Sequence, residues 1–203
     1  MDSIHTYHER SKHHPERYAP GPGGLDWDSQ PDPFRRYAGA PQLDLPLLSG
    51  ELPVCWDDLF VPDDIIPVQV MTVGSLASLL QLSLGLSAWK SYAGNRWALR
   101  NNPSSGNLHP TDGYLIAGPL QGLQDSASIA HYAPGEHVME VRADLTPERW
   151  EAVKRWAGGA DLLVALSSLH WREAWKYGER AFRYCNLDAG HAMAALAVAA
   201  AGL

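Results

Sequence analysis

The spacing of apolar residues along the chain changes near residue 73. Residues 1–72 hold ten of the fifteen prolines, a density that opposes both long helices and central strands. The same segment carries aromatic residues that favour attachment to a surface over a solvated tail: Trp27, Phe34, Tyr37, Trp56 and Phe60. We therefore predict an extended, Pro-rich N-terminal arm over residues 1–72 and a folded domain over residues 73–203.

The helical segments of this domain are marked by caps and by apolar spacing. Ser75 is a candidate N-cap for a leucine-rich helix of about three turns. A second helix is predicted to start at Thr146-Pro147 and to stop at Gly158-Gly159. From about Trp171 to the end, apolar residues recur at spacings of three and four, which predicts a final helical run.

Short apolar runs between these helices predict strands. Residues 113–117 and 162–166 are typical of buried strands, and residues 128–132 and 137–141 form a predicted hairpin around Pro134-Gly135. The segment between the first helix and residue 113 is predicted only as a connection that carries Trp and Arg residues. Helices and strands in this order indicate an α+β fold.

Composition narrows the class of function. The formal net charge is −7 with both signs mixed along the chain, so no basic stripe is available for nucleic acid. Cys55 and Cys185 are the two cysteines, and they lack the spacing of a thiolate metal site. The polar N-terminus is unlike a signal peptide, and no apolar run reaches the roughly 18 residues of a membrane span. We expect a soluble, cytoplasmic protein without nucleic-acid or membrane partners.

The most informative segment for chemistry is the loop RNNPSSGNLHP at residues 100–110, directly before a predicted strand. Gly106 and the hydroxyls of Ser104 and Ser105 would let backbone and side chains approach a flat polar ligand closely, with Pro103 and Pro110 restricting the backbone. The same residue types also make an ordinary turn before a strand. On the residues alone, both interpretations stay open.

Several motifs in order resemble the nitroreductase family. PSSGNLHP is similar to the PSxxNxQP loop of nitroreductases, with His109 where many relatives have Gln. The stretches LSLGLSAWK, RWALRNNPSSGNLHPTDGYLI and KYGERAFRYCNLDAGHAMAAL are similar to its SagB-type dehydrogenase branch, over roughly residues 75–203. YHERSKHH and LDWDSQPDPFRRY in the arm resemble the segment that precedes this domain in longer members.

This resemblance implies a nitroreductase-like sheet flanked by helices and an FMN-dependent oxidoreductase. FMN would bind at a homodimer interface or between two related halves, and the substrate would be a small molecule or a peptide. The cofactor-binding residues carried over are Pro103, Ser104, Ser105, Asn107 and His109 of the loop, with Arg96 and Arg100 as candidates for the phosphate. Arg35 and Arg36 are further candidates. Relatives continue past the AAAGL at which this chain stops, so we expect the domain to be incomplete at its C-terminus.

The segment Trp175–Arg180 is the second candidate for chemistry. A fixed cation beside the N1–C2 edge of a flavin favours its reduced form, and Lys176 or Arg180 could provide it. In azoline-oxidising relatives a Lys-Tyr pair is associated with proton removal, which implies catalytic roles for Lys176 as base and Tyr177 as its neighbour. The alternative is a solvated helix start with ordinary charge pairs. For His191 we favour a core or interface histidine over a catalytic one.

Two other classes of function compete with this interpretation. The arm histidines, His5, His8, His13 and His14, could hold a metal, although neither HExxH nor GxSxG occurs in the sequence. We therefore expect no metal site. The second rival is a non-catalytic nitroreductase-like half that serves dimerisation or partner binding. The residues do not identify the substrate or the electron donor.

Overall fold

The structure is a computed structural model that describes residues 3–52, 54–61, 66–67 and 69–203. Pro53 and Pro62 of the predicted arm lie outside the described residues. The helices and strands follow in the order α1 (Ile4–Ser11), β1 (Gln42–Asp44), α2 (Val73–Ser83), β2 (Leu86–Tyr92), β3 (Asn95–Arg100), β4 (Thr111–Ala117), β5 (Ser128–Ala133), β6 (Val138–Asp144), α3 (Pro147–Trp156), β7 (Leu162–Ser168), α4 (His170–Tyr177) and α5 (Ala181–Ala201).

A five-stranded antiparallel sheet in the order β1-β6-β5-β4-β7 forms the centre of the fold. The four strands predicted from the sequence are all present in it, and β5 and β6 form the predicted hairpin. Helices flank the sheet, so the predicted α+β class is confirmed. The edge strand β1 comes from residue 42 onward, which means that the arm supplies one strand of the sheet.

Side-chain caps decide where the helices begin. Thr146 caps α3 by accepting a hydrogen bond from the backbone N–H of Arg149, and Pro147 occupies the first turn, as predicted. The N-cap of α2 is Thr72, and the predicted cap Ser75 instead forms its reciprocal partner. The Ser75 hydroxyl accepts from the backbone N–H of Thr72 at 2.8 Å. The prediction was wrong by three residues because this capping box has Ser75 at the position where Glu or Gln is usual, so both of its ends carry a hydroxyl group.

The hairpin of β2 and β3 was missed by the sequence interpretation. It is a separate two-stranded sheet in which Tyr92 pairs with Asn95 around a two-residue turn. Ala93 and Gly94 both have positive φ, 47° and 83°, as this kind of turn requires. Most of the hairpin is exposed, so its residues lack the apolar periodicity that reveals a buried strand. The signal that could have found it is the set of aromatic residues Trp89, Tyr92 and Trp97 on both sides of Gly94.

The hydrophobic core lies between the sheet and the pair α2 and α5. Buried residues of α2 and the sheet meet Ala192 of α5 in one cluster that includes Leu76, Leu80, Leu84, Leu115, Tyr132 and Met139. The predicted final helical run is interrupted after Tyr177. Gly178 has φ 56° and ψ −125°, a conformation that favours glycine, and it separates α4 from α5. None of the helices in the described part of the chain is long and apolar enough to span a membrane.

The segment before residue 73 is less extended than predicted, because α1 is a regular helix capped by Ser3. Of the five aromatic residues named above as surface anchors, Phe34 and Tyr37 are partly buried against the domain. Phe34 packs near Trp89 of β2, and the Tyr37 hydroxyl lies 2.7 Å from that of Tyr114. Trp56 and Phe60 contact each other and remain mostly exposed.

Candidate functional site

The loop between β3 and β4 has an unusual backbone. Gly106, Asn107 and His109 all have positive φ, at 63°, 60° and 48°. Glycine adopts this region freely, whereas a non-glycine residue such as Asn107 or His109 held there costs of the order of 1–3 kcal/mol and persists only where its surroundings impose it. Such strain is common in ligand-binding loops, so the cause that imposes it is informative.

Asp188 of α5 holds the first half of the loop. Its carboxylate accepts hydrogen bonds from the Ser104 hydroxyl at 2.8 Å and from the backbone N–H of Ser105 at 3.1 Å. The Ser104 oxygen in turn accepts from the backbone N–H of His109 at 2.8 Å. Both serine hydroxyls face Asp188, which is buried. The serines therefore fix the loop to α5, and Asp188 holds the candidate site in place although the sequence interpretation did not select it.

Asn107 and His109 form the second half of the loop. The Asn107 amide donates to the carbonyl of Ala98 at 2.9 Å, which leaves its oxygen 2.9 Å from Nε2 of His109. Burial lowers the pKa of His109 to about 3, and the nearby Arg100 and Arg172 act in the same direction. The neutral imidazole thus donates from Nε2 to Asn107. In this arrangement both side chains serve the loop itself.

Lys176 and Tyr177 lie directly against Gly106. A Cβ added at Gly106 would stand 2.6 Å from the Tyr177 hydroxyl and 2.9 Å from Nζ of Lys176. No ion pair or hydrogen bond engages the Lys176 ammonium among the described residues. Arg180 continues this group, because its guanidinium lies 5.4 Å from the Tyr177 ring and donates to the Tyr184 hydroxyl. The two motifs predicted separately from the sequence are therefore brought together in space.

Glu173 is a second acidic residue at the same place, one helical turn before Lys176. Its side chain is fully buried, and neither carboxyl oxygen has a hydrogen-bond partner among the described residues. Burial raises the pKa of Glu173 to about 8, with Asp188 adding to the effect and Lys176 opposing it. Burial, with help from Glu173, also raises the pKa of Tyr177 to about 12. The group behind Gly106 thus contains one carboxyl that keeps its proton at neutral pH.

The arginines proposed for the phosphate are engaged by other groups of the chain. Arg100 is buried, and its guanidinium donates to the carbonyl of Pro33 at 2.6 Å. Burial lowers the pKa of Arg100 to about 10. Arg96 is exposed and stacks 4.1 Å above the Trp89 ring of the hairpin. Arg35 and Arg36 contact Asp112 and Glu136. None of these contacts identifies a phosphate ligand.

A cavity of about 550 Å³ opens beside the loop, between the arm and α5. Its walls are mainly apolar and include Leu52, Val54, Trp56, Leu59, Pro103, Ala194, Ala195 and Val198. His191 also lines this cavity and is exposed, so within this chain it is not a core histidine. The arm histidines form no three-ligand group in the ranges described. Nε2 of His13 instead lies 2.7 Å from Nη1 of Arg180.

Comparisons with known proteins were made for the whole chain. No family model and no curated protein sequence matches it. Two crystal structures described as putative nitroreductases overlay on it. The one from Anabaena variabilis ATCC 29413 has a TM-score of 0.69 and 25% identity over 96% of this chain. The one from Ralstonia eutropha JMP134 has a TM-score of 0.56 and 18% identity over 90% of this chain.

These overlays also relate the lengths of the proteins. The chain spans 37% of the Anabaena protein and 80% of the Ralstonia protein. Both likenesses extend over the sheet and its flanking helices, since nine-tenths or more of this chain is covered. The chain therefore has the fold of these nitroreductase structures, a finding that supports a place in the nitroreductase family.

Proposed function

We propose that this chain is an FMN-dependent oxidoreductase of the nitroreductase class, of the SagB type, acting on a small molecule or a peptide. The nitroreductase-fold structures support an oxidoreductase function in general. The contact of Gly106 with Lys176 and Tyr177 is the observation that carries the finer proposal. At this contact Gly106 of the strained loop, which has no side chain, meets the Lys176 ammonium. That ammonium has no ion-pair or hydrogen-bond partner among the described residues.

The residues at this contact fit one edge of a flavin. The absence of a side chain at Gly106 lets Lys176 and Tyr177 lie against the loop backbone, and the Lys176 ammonium is available to an electron-rich carbonyl edge. Ser104, Ser105, Asn107 and His109 hold the loop in that shape. Arg180 supports Tyr177 from the far side. Arg96 and Arg100 stay as candidates for the phosphate, and reaching it would require their side chains to change position.

FMN, when bound, supplies hydride transfer through its N5 atom. In this proposal Lys176 either stabilises negative charge on the reduced ring or removes a proton from the substrate. Tyr177 is its polar neighbour, and the high pKa of its hydroxyl keeps it a hydrogen-bond donor at neutral pH.

The proposal includes a partner, either a second copy or a second nitroreductase-like half. Leu187, Met193 and Val198 are among the exposed apolar residues of α5. They support a partner because its surface would bury them. The Anabaena protein is more than twice as long as this chain, so it has room for a second half. We also place the protein in the cytoplasm, on the ground that Cys55 and Cys185 are free thiols.

The competing function is a non-catalytic half that binds a partner. One observation favours it, namely that both loop serines already donate their hydroxyl hydrogens to Asp188 and so have none left to donate to a flavin. A flavin would then rely on Lys176 and on backbone groups alone. Binding of FMN by the chain or by its extended form, as against binding by neither, separates the two functions.

The test is a titration of the chain with FMN, in which binding is measured from the flavin fluorescence and from the visible absorption band. We expect FMN to bind and FAD to bind more weakly, because no Gly-rich dinucleotide turn is present. Gly106→Ala should weaken binding at least about tenfold, because its Cβ displaces Lys176 and a charge-assisted hydrogen bond is worth about 1.5–3 kcal/mol. The same titration is run on the chain extended over any continuation of its reading frame.

Gly94→Ala is the matched control. Gly94 also has positive φ, yet an added Cβ there meets no atom within 4 Å. It reproduces the backbone strain of the first variant without touching the site. Equal FMN affinity in both variants would show that the loop apex does not contact the flavin. No FMN binding by either the chain or its extended form would favour the non-catalytic half.

A further inference from the structure

Lys176 and Tyr177 lie in the last turn of α4, and residues 178–180 connect them to α5. This segment, residues 176–180, is called the turn below. After the break at Gly178, α5 begins at Ala181, and no side chain at its N-cap position, Arg180, caps it. The first N–H groups of any helix lack partners within that helix and need them from elsewhere. Whatever supplies a partner here also determines how firmly the turn is held.

Tyr7 of α1 supplies that partner from 176 residues away along the chain. Its hydroxyl oxygen accepts a hydrogen bond from the backbone N–H of Arg183 at 3.0 Å, in the first turn of α5. The same hydroxyl donates to the carbonyl of Glu179 at 2.9 Å. The Tyr7 ring meets Phe182 edge to face, with centroids 5.7 Å apart. One side chain thus bridges the turn and the helix that follows it.

Other residues of the same segment hold both sides of the turn. Arg10 pairs with the Glu179 carboxylate, and the buried Ser11 accepts from the Arg183 guanidinium at 3.2 Å. On the other side, the Trp175 indole donates to the carbonyl of Asp26 at 3.1 Å. The ion pair is about half exposed and contributes little by itself. The bridge made by Tyr7 is the contact that satisfies backbone groups.

We propose that Tyr7 is a positioning residue of the site, because it caps α5 from outside and thereby keeps the turn of Lys176 and Tyr177 against Gly106. This role rests on the proposed function for its catalytic meaning, but its structural part holds for the free protein. Residues 7–29 then help to fix the geometry of the site, in addition to packing on the surface of the domain. The loop and the N-terminal helix would be energetically coupled through the turn.

The experiment compares amide hydrogen exchange in the free full chain with that of Tyr7→Phe, which removes the hydroxyl and keeps the ring. Loss of a cap should raise exchange of amides 179–185 roughly five-fold, the equivalent of about 1 kcal/mol. If Tyr7 also positions the site, amides of loop 103–109 must exchange faster in Tyr7→Phe than in wild type, because the turn supports the loop. A cap of purely local effect would leave that loop unchanged.

Tyr92→Phe is the control, because Tyr92 is an exposed tyrosine of the hairpin. Amides of β5 serve as an internal reference for global stability. Faster exchange in both the turn and the loop, with β5 unchanged, supports the proposal. Unchanged loop exchange in Tyr7→Phe, or an equal change in Tyr92→Phe, would overturn it.

A second set of exchange measurements adds FMN to the wild-type chain. Protection of the loop and the turn by FMN supports the proposed function. Absence of protection counts against that function and not against Tyr7, whose role is measured without FMN. The two proposals can therefore fail separately.

Discussion

Glu173→Gln should make the chain more resistant to alkaline conditions. The wild-type carboxyl is fully buried without a hydrogen-bond partner, and burial raises its pKa from 4.5 to about 8. The folded chain therefore keeps a proton that the unfolded chain releases once the pH exceeds about 4.5. The resulting contribution to stability is greatest at low pH and is lost as the pH rises towards about 8.

The change in the free energy of unfolding follows from the one proton that Glu173 binds in the folded chain and releases on unfolding. Each pH unit inside this window lowers the free energy of unfolding by up to about 1.4 kcal/mol. Between pH 5 and pH 8 the loss is at most about 4 kcal/mol, and relaxation around the buried charge should reduce it to about 2–3 kcal/mol. For a chain of this length that corresponds to a fall in melting temperature of about 4–12 °C.

The assay is urea unfolding of both proteins at a series of pH values from 5 to 9. Buried His109, whose pKa is lowered to about 3, makes the wild type gain stability as the pH rises to about 6.5, which is the opposite trend. Only the difference between wild type and variant isolates Glu173. Glu151→Gln, at an exposed carboxylate of α3, is the control. Parallel curves for wild type and Glu173→Gln would refute a protonated Glu173.

Three further outcomes follow from the structure. Lys176→Ala, compared at equal FMN occupancy, should lower turnover of a quinone or nitroaromatic acceptor by roughly 10² to 10⁴ while leaving the melting temperature almost unchanged. Asp188→Asn should reduce stability by about 1–3 kcal/mol in urea unfolding and raise amide exchange in loop 103–110, because the loop loses a charged acceptor. Light scattering should show a dimer or larger species of this chain. A monomer without binding of a hydrophobic dye would contradict the partner predicted for α5.

Local signals explain which elements were predictable from the sequence. The four strands and α3 follow from short apolar runs, from Thr146-Pro147 and from the glycines at 158 and 159, all of which act over a few residues. The hairpin β2–β3 and the strand β1 were not found. An exposed hairpin has no buried face, and β1 is only three residues long, so its pairing with β6 is decided by the partner strand.

For the candidate site, the sequence by itself determined the motifs: a small-residue loop before a strand, and Lys176-Tyr177 before a long helix. Only the tertiary structure decided that Gly106 touches that pair, that Asp188 holds the serines and that Tyr7 caps α5. Partners separated by 70 to more than 170 residues leave no mark in a local pattern. Burial likewise made Glu173 a neutral acid, because a pKa depends on the solvent that the folded chain excludes.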